Sequence, residues 1–224
     1  MNDTDAAPGT RIDIVSDAIC PWCYIGKRKL ERALETLGAE GLDFGVRWNP
    51  FQLNPDMPKE GRERTAYRIA KFGAERAASL DAQIVETART VGLAFRPDLM
   101  TRTPNTLDVH RLIWLAGRHG VQDAAMEAVF AAYFTQGRDI GDPDVLAECA
   151  VAAGLDNAEA RAFLASDKIA AEMRAADRAA REAGVNGVPS FFLDGYGLFS
   201  GAQPAEQMAE ALRRGRGVLQ QRAA

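Results

Sequence analysis

Two cysteines separated by two residues form the pattern in this 224-residue sequence that points most directly to chemistry. Cys20 and Cys23 enclose Pro21 and Trp22. At a helix start, side chains three residues apart face the same way, and their Cβ atoms lie within reach of a disulfide bond. Such a pair can close and reopen with little backbone movement. The spacing therefore favours redox chemistry.

The residues next to the pair predict which thiol attacks. Pro21 suits the first position of a helix, where no backbone N–H is needed, so we expect a helix to begin directly after Cys20. The free amides of the first turn and the helix dipole then stabilise a thiolate on Cys20. We predict Cys20 as the nucleophile and Cys23, one turn further along, as the resolving thiol. Asp17, just before the motif, is expected to form a local turn or cap.

A zinc site and a structural pair of buried thiols are the other interpretations of this spacing. Zinc would need two further ligands, and only Cys149, His110 and His119 remain to supply them. The spacing of the two histidines fits no common zinc finger or ribbon. We therefore expect no metal, and Trp22 between the cysteines favours a reactive pair. Cys149 has helical neighbours and is predicted to be a small buried residue.

A proline marks a second segment that bears on function. Pro189 follows Val188 at the head of the apolar stretch 190–193, directly after the flexible pair Asn186 and Gly187. Proline is allowed but uncommon at the start of a strand, and this context suggests a cis peptide bond that presents the backbone of Val188 at a surface. Taken alone, the segment is better explained by an ordinary trans proline at the start of an edge strand.

The predicted elements around these motifs follow the order strand, helix, strand, then a helical block, then two strands and a helix. The predicted strands cover residues 11–16, 42–51, 190–193 and 197–199. The predicted helices cover residues 21–37, 62–91, 105–118, 121–136, 143–153, 157–165, 168–183 and 204–214. We interpret this order as an α/β domain whose halves are separated by an inserted all-α domain. The predicted boundaries are 10–56 and 186–219 for the two halves and 57–185 for the insertion.

The charge balance limits the classes of partner. Lysine and arginine number 27 against 31 aspartate and glutamate residues, which gives a net charge of −4 and an isoelectric point near 5.3. This balance provides no cationic surface for a polyanion, so we expect no nucleic-acid partner. The arginines alternate with acidic residues along the predicted helices, which is typical of solvated helix faces.

The apolar pattern and the cysteine count bear on location. No apolar run approaches the roughly 18 residues of a membrane span. Residues 1–11 are polar and lack the basic and apolar regions of a secretory signal. Three cysteines are too few for a disulfide framework and suit a reducing compartment. The sequence therefore predicts a cytoplasmic protein with no membrane partner.

Together these motifs resemble the DsbA-family thioredoxin-fold oxidoreductases and, within them, the FrnE-like branch. The resemblance extends from about residue 11 to residue 214 and keeps the motifs in order. The resemblance rests on four segments: Cys-Pro-Trp-Cys at 20–23, Asn-Pro-Phe-Gln-Leu-Asn-Pro at 49–55, the helix start at 105–111 and Gly-Val-Pro-Ser-Phe at 187–191. It implies a thioredoxin fold interrupted by a helical domain, with Cys20 and Cys23 as the redox pair and Pro189 as a cis-proline beside them.

The resemblance also implies a reaction and a set of contacts. The reaction is thiol–disulfide exchange through a mixed disulfide, without metal or organic cofactor. The partner is a protein or small molecule that carries a thiol or disulfide, with glutathione among the candidates. An extended substrate would lie along Val188 and present its sulfur to Cys20. The implied substrate contacts are Pro21, Trp22, Val188 and Pro189, with Asn105 and His110 as candidates to line the cleft.

Two further functions remain as alternatives at this point. Glutathione-dependent isomerases and kappa-class glutathione transferases share the layout and act on small aromatic electrophiles, but these relatives carry a serine in place of the first motif cysteine. Cys20 and Cys23 are both present here, which favours redox chemistry. The other alternative is a non-catalytic, redox-responsive binding module that uses the groove of the helical part.

Overall fold

The computed structural model of the protein describes residues 10–223. Most of the polar N-terminal segment on which the expected location partly depends, residues 1–9, lies outside the described residues. Within residues 10–223, no helix combines the length and the apolar character needed to cross a membrane.

The elements follow the predicted order along the chain. The strands are β1 (Arg11–Ser16), β2 (Gly45–Pro50), β3 (Arg62–Glu63), β4 (Arg102–Thr103), β5 (Ser190–Leu193) and β6 (Tyr196–Ser200). The helices are α1 (Pro21–Ala39), α2 (Arg64–Phe72), α3 (Ala74–Arg89), α4 (Leu107–Arg118), α5 (Gln122–Phe130), α6 (Pro143–Ala152), α7 (Asn157–Leu164), α8 (Ala170–Glu182) and α9 (Ala205–Ala223). A π-helical turn, Ala131–Thr135, continues α5.

A four-stranded mixed sheet in the order β2-β1-β5-β6 forms the thioredoxin part of the fold. β1 runs parallel to β2 and antiparallel to β5, so Ile14 lies beside Trp48 on one side and Phe191 on the other. Five of the six residues of β1 are buried. The central position of β1 explains why its β-branched residues Ile12, Ile14 and Val15 are all buried, because layers of structure cover both faces of the strand. The predicted thioredoxin fold with its helical insertion is confirmed.

One aromatic cluster joins the sheet and α1 to the inserted helices. The Tyr24 ring of α1 stacks on Phe130 of α5 with 4.9 Å between ring centroids, and Phe95 stacks on Phe134 at 4.7 Å. The edge of Trp48 in β2 meets the Phe130 ring at 6.0 Å. Because these rings belong to one continuous core, the helical block is held firmly against α1.

A buried ion-pair cluster adds to this contact between α1 and α5. Lys27 is only 3% exposed, and its Nζ lies 3.1 Å from the carboxylates of Asp123 and Glu127. It also pairs with Glu31, and the Tyr24 hydroxyl donates to Glu127 at 2.7 Å. Burial by itself lowers the pKa of Lys27, but the hydrogen bond to Glu31 and the three carboxylate charges raise it overall. The ammonium is therefore charged and fully paired in the interface.

The structure differs from the prediction in the middle of the chain. The single helix expected over 62–91 is two helices, because Gly73 has φ +82°, a left-handed conformation that favours glycine. The middle segment is also not purely helical, since the two-residue strands β3 and β4 pair antiparallel. Glu63 ends this strand pair and caps α2 by accepting from the amides of Thr65 and Ala66.

The last helix is longer than the predicted 204–214, since α9 continues to Ala223. Gly215 lies inside it, and a Cβ at this position would come within 3.1 Å of both Leu193 and Leu198. The glycine therefore serves the close packing of α9 on β5 and β6 and does not end the helix.

We predict that Phe130→Ala lowers the free energy of unfolding by about 3–5 kcal/mol, since it opens a cavity where α1, β2 and α5 meet. Urea denaturation measures this loss. Val151→Ala on α6, where the valine is 49% exposed, is the matched control and should change the value by less than about 0.5 kcal/mol. Similar losses in the two variants would contradict a core shared between the helical block and the sheet.

Candidate active site

The first turn of α1 positions the cysteine motif. Cys20 is the residue that precedes the helix, with extended backbone angles (φ −87°, ψ 112°), and Pro21 is the first helical residue. The Cys20 amide donates to the carbonyl oxygen of Asp17 at 3.0 Å, and the Cys23 amide donates to the carbonyl oxygen of Cys20 at 3.0 Å. This turn places Cys20 at the positive end of the helix and Cys23 one turn inside it.

The two thiols of the motif differ in their surroundings. Both are free cysteines with little exposed surface, 4% for Cys20 and 1% for Cys23. Burial is the main reason that the pKa of Cys23 is raised well above its ordinary value, and the hydrogen bond and charge of Cys20 raise it further. Cys149, which was predicted to be buried, is 4% exposed, and burial raises its pKa to about 11.

The loop before β5 lies directly against Cys20. The Val188–Pro189 peptide bond is cis, and Cys20 Sγ lies 3.4 Å from the carbonyl oxygen of Val188. Pro189 packs on α1 at Gly26, where an added Cβ would lie 3.1 Å from Pro189 Cγ. A glycine at this turn of α1 therefore lets the proline loop approach the cysteine motif closely.

The motif opens onto a cavity of about 460 Å³ that α2 and α3 help to enclose. Cys20, Pro21, Trp22 and Val188 all line it, so the structure brings four of the eight predicted site residues to one space. A volume in this range can hold a small molecule. Much of the remaining wall is apolar and comes from Ile19, Leu80, Ile84, Val85, Phe95 and Met100.

Basic side chains form another part of the wall, which the sequence analysis missed. Arg64, Arg68 and Lys71 of α2 and Arg76 of α3 line the cavity. The expectation that arginines alternate with acids on solvated faces is wrong for this segment, because α2 contains no acidic residue. Positions 64, 68 and 71 also recur at i, i+4 and i+7, which places them on one helix face. This spacing was the available signal, but it did not reveal that the face lines the cavity.

Asp17 connects the motif to the loop after β2. Its side chain is completely buried, and Oδ2 accepts a hydrogen bond from the Leu53 amide at 2.7 Å. Leu53 itself lines the cavity. Asp17 thus forms the expected turn through its carbonyl oxygen and, through its carboxylate, holds a distant segment of the cavity wall.

Asn105 and His110, the candidates to line the cleft, do not line this cavity, because both side chains bind backbone elsewhere. The Asn105 amide nitrogen donates to the carbonyl oxygen of Met57 at 2.6 Å, and its Oδ1 accepts from the Leu107 amide at the start of α4. His110 is 3% exposed, and its Nε2 lies 3.1 Å from the carbonyl oxygen of Phe51. Since a carbonyl only accepts, Nε2 carries the hydrogen.

The described residues offer no donor set for a metal ion, since no three His, Cys, Asp or Glu side chains among residues 10–223 come close enough together. The groups that the cavity wall offers for chemistry and binding include the Cys20 thiol, several cations and the backbone of Val188.

Comparisons with known proteins agree with this geometry. A model of the DSBA-like thioredoxin domain matches residues 11–213. A probable DsbA oxidoreductase from Streptomyces coelicolor is 38% identical, with a TM-score of 0.82 over 92% of this chain and 90% of that chain.

Two more distant structures share the fold. The cytosolic disulfide reductase DsbM from Pseudomonas aeruginosa is 22% identical, with a TM-score of 0.62 over 96% of this chain and all of that chain. A 2-hydroxychromene-2-carboxylate isomerase is 19% identical, with a TM-score of 0.68 over 96% of this chain and 98% of that chain. The domain match covers most of the chain, and the chain therefore belongs to the DsbA-like thioredoxin family.

Proposed function

We propose that this protein is a cytoplasmic thiol–disulfide oxidoreductase of the FrnE-like branch, which exchanges disulfides through Cys20 and Cys23. One observation carries the proposal: Cys20 Sγ is at the start of α1, 3.4 Å from the Val188 carbonyl oxygen, on the wall of the cavity. This arrangement supports Cys20 as the nucleophile, Cys23 as the resolving thiol and the backbone of Val188 as the segment against which substrate binds.

The exchange balances as two successive substitutions at sulfur. The Cys20 thiolate attacks one sulfur of a substrate disulfide, and the other substrate sulfur leaves as a thiolate and takes up a proton. Cys23 then loses its proton and attacks the Cys20 sulfur, which releases the second substrate thiol. Two electrons pass from the pair to the substrate, and the reverse sequence oxidises a substrate dithiol.

The environment of Cys23 supports this division of roles. Its raised pKa keeps the buried thiol protonated near neutral pH, so it does not compete with Cys20 for the first attack. Once the mixed disulfide forms, Cys23 is one turn from the Cys20 sulfur and needs little backbone movement to reach it.

The substrate contacts follow from the cavity walls. An extended segment can pair with the backbone of Val188, while Trp22 and Pro21 offer apolar surface beside the sulfur. We propose Pro189 as the residue that holds the Val188 backbone in place. The substrate is a thiol or disulfide of a protein or small molecule, and glutathione is a candidate because DsbM has been solved with GSH.

We expect alkylation near neutral pH to label Cys20 before Cys23 and Cys149, because the raised pKa values of the latter two leave very little thiolate. Limited iodoacetamide treatment followed by peptide mass spectrometry gives the order. Labelling of Cys23 ahead of Cys20 would show that the assigned roles are reversed.

Removal of the resolving thiol should trap the reaction halfway. Cys23→Ala is expected to accumulate a mixed disulfide at Cys20, visible as a mass increase that a reductant removes, whereas Cys20→Ser should form no adduct. Cys149→Ala, which alters a thiol outside the cavity, is the control and should turn over like the unmodified protein. Equal trapping by the first two variants would rule out the assignment.

The isomerase and transferase alternative predicts a different response to Cys20→Ser. Exchange needs both thiols, whereas a glutathione-dependent isomerase or transferase uses the thiol of glutathione itself. We expect Cys20→Ser to be inactive both in insulin reduction and with a chromene-type electrophile plus glutathione. Turnover of the electrophile by Cys20→Ser, together with negligible exchange by the unmodified protein, would favour the alternative.

A further inference from the structure

The basic residues of the cavity wall carry more positive charge than their neighbours neutralise. Arg64 and Arg68 share one partner, since both guanidinium groups approach Oδ1 of Asp81, at 2.7 and 2.9 Å. Asp81 is the only carboxylate among the described residues that line the cavity. Lys71 and Arg76 line the same space, so the wall carries four cations and one anion.

Among residues 10–223, Lys71 has only neutral hydrogen-bond partners. Its Nζ donates to Asn54 Oδ1 at 2.9 Å and lies 3.1 Å from the Tyr67 hydroxyl, and both of these residues also line the cavity. Arg76 is exposed and forms no ion pair or hydrogen bond within the described part of the chain. These two charges are therefore available to a ligand.

Arg68 provides a second sign that this wall is incomplete without a ligand. Its Nε is buried and lacks a hydrogen-bond acceptor among the described residues. The pKa of this guanidinium is lowered, mainly by burial. The charge of the single Asp81 carboxylate offsets only part of that effect. The partly buried guanidinium therefore shares a single carboxylate with Arg64, and an anion in the cavity would compensate more of its charge.

We propose that Arg64, Arg68, Lys71 and Arg76 form an anion subsite that makes the exchange reaction selective for small thiols and disulfides that carry carboxylates. This inference rests on the proposed function, since the selected molecule is the substrate of Cys20. The apolar part of the wall receives the carbon chain of the substrate, the cations bind its carboxylates, and its sulfur meets Cys20 at the start of α1.

The charge of the substrate changes only its binding, so the chemistry of each turnover is the exchange already described. A reduced pair and one small disulfide yield an oxidised pair and two small thiols, and the disulfide is the only oxidant required.

Three small disulfides of different charge test the subsite. The pre-reduced protein is mixed with 3,3′-dithiodipropionate, which carries two carboxylates, with neutral bis(2-hydroxyethyl) disulfide, or with cystamine, which carries two ammonium groups. The rate at which Cys20 and Cys23 close is read by acid quench and mass spectrometry. Division by the rate of each disulfide with dithiothreitol removes differences in intrinsic reactivity. We expect the normalised rates to fall in the order anionic, neutral, cationic.

Charge-removing variants locate the effect. Lys71 and Arg76 are exposed, so Lys71→Gln and Arg76→Gln should fold normally. Each should lower the ratio of the anionic to the neutral rate about threefold, and the double variant about tenfold, as expected for partly solvated charge pairs. Arg89→Gln, on the same helix as Arg76 but outside the cavity, is the matched control and should keep the ratio. Roughly 1 M salt should reduce the ratio in the unmodified protein.

The outcomes separate this inference from the function on which it rests. Closure of the pair with all three disulfides at equal normalised rates would overturn the anion subsite and leave the oxidoreductase function standing. A pair that closes with none of them would overturn the proposed function, and the subsite with it. A charge preference that survives in the double variant would also overturn the assignment of these residues.

Discussion

The position at which α1 begins is the constraint on which the rest of the site depends. β1 is buried in the interior of the sheet. The turn from Asp17 to Cys20 connects the end of β1 to the start of α1. Pro21 suits the first helical position because it needs no amide partner there. The Asp17 carboxylate meanwhile holds the Leu53 backbone. One buried residue therefore ties the helix start to the loop that lines the cavity.

The contacts along α1 then arrange the other walls around that start. Gly26 admits the Pro189 ring, and the neighbouring Val188 carbonyl oxygen lies 3.4 Å from Cys20 Sγ. On the other side of the same helix, Tyr24 stacks on Phe130 and Lys27 pairs with carboxylates of α5. Since α1 contacts both the proline loop and the inserted helices, the cavity lies where the two parts of the chain meet.

The features that could be predicted from the sequence are those that depend on neighbouring residues. Cys20, Pro21 and Cys23 lie within one helical turn, so their types and spacing indicated the helix start, which the structure confirms, and a candidate redox pair, which remains a prediction. The two-part fold followed from the change between strand and helix periodicity, although its boundaries at 57 and 185 remain a prediction. The break at Gly73 was missed because helical periodicity resumes directly after it.

The features that could not be predicted depend on contacts between distant segments. Gly215 remains helical because it packs on Leu193 and Leu198, which its local sequence does not indicate. Asn105 and His110 stand out as polar residues near a helix start, but the distant carbonyl groups that bind them became evident only in the structure. The spacing of the α2 cations indicates that they share one helix face. That this face lines the cavity depends on how α2 packs against the rest of the chain, which the spacing does not show.

The most direct test of the account is the equilibrium between the Cys20–Cys23 pair and mixtures of glutathione and glutathione disulfide. Mass spectrometry after acid quench measures the fraction of protein with a closed disulfide, whose mass is lower by two hydrogen atoms, across a wide range of mixtures. The account predicts one reversible two-electron transition between dithiol and disulfide, with Cys149 remaining a thiol throughout. A pair that stays as two thiols, or that is only capped by glutathione and never closes, would contradict the account.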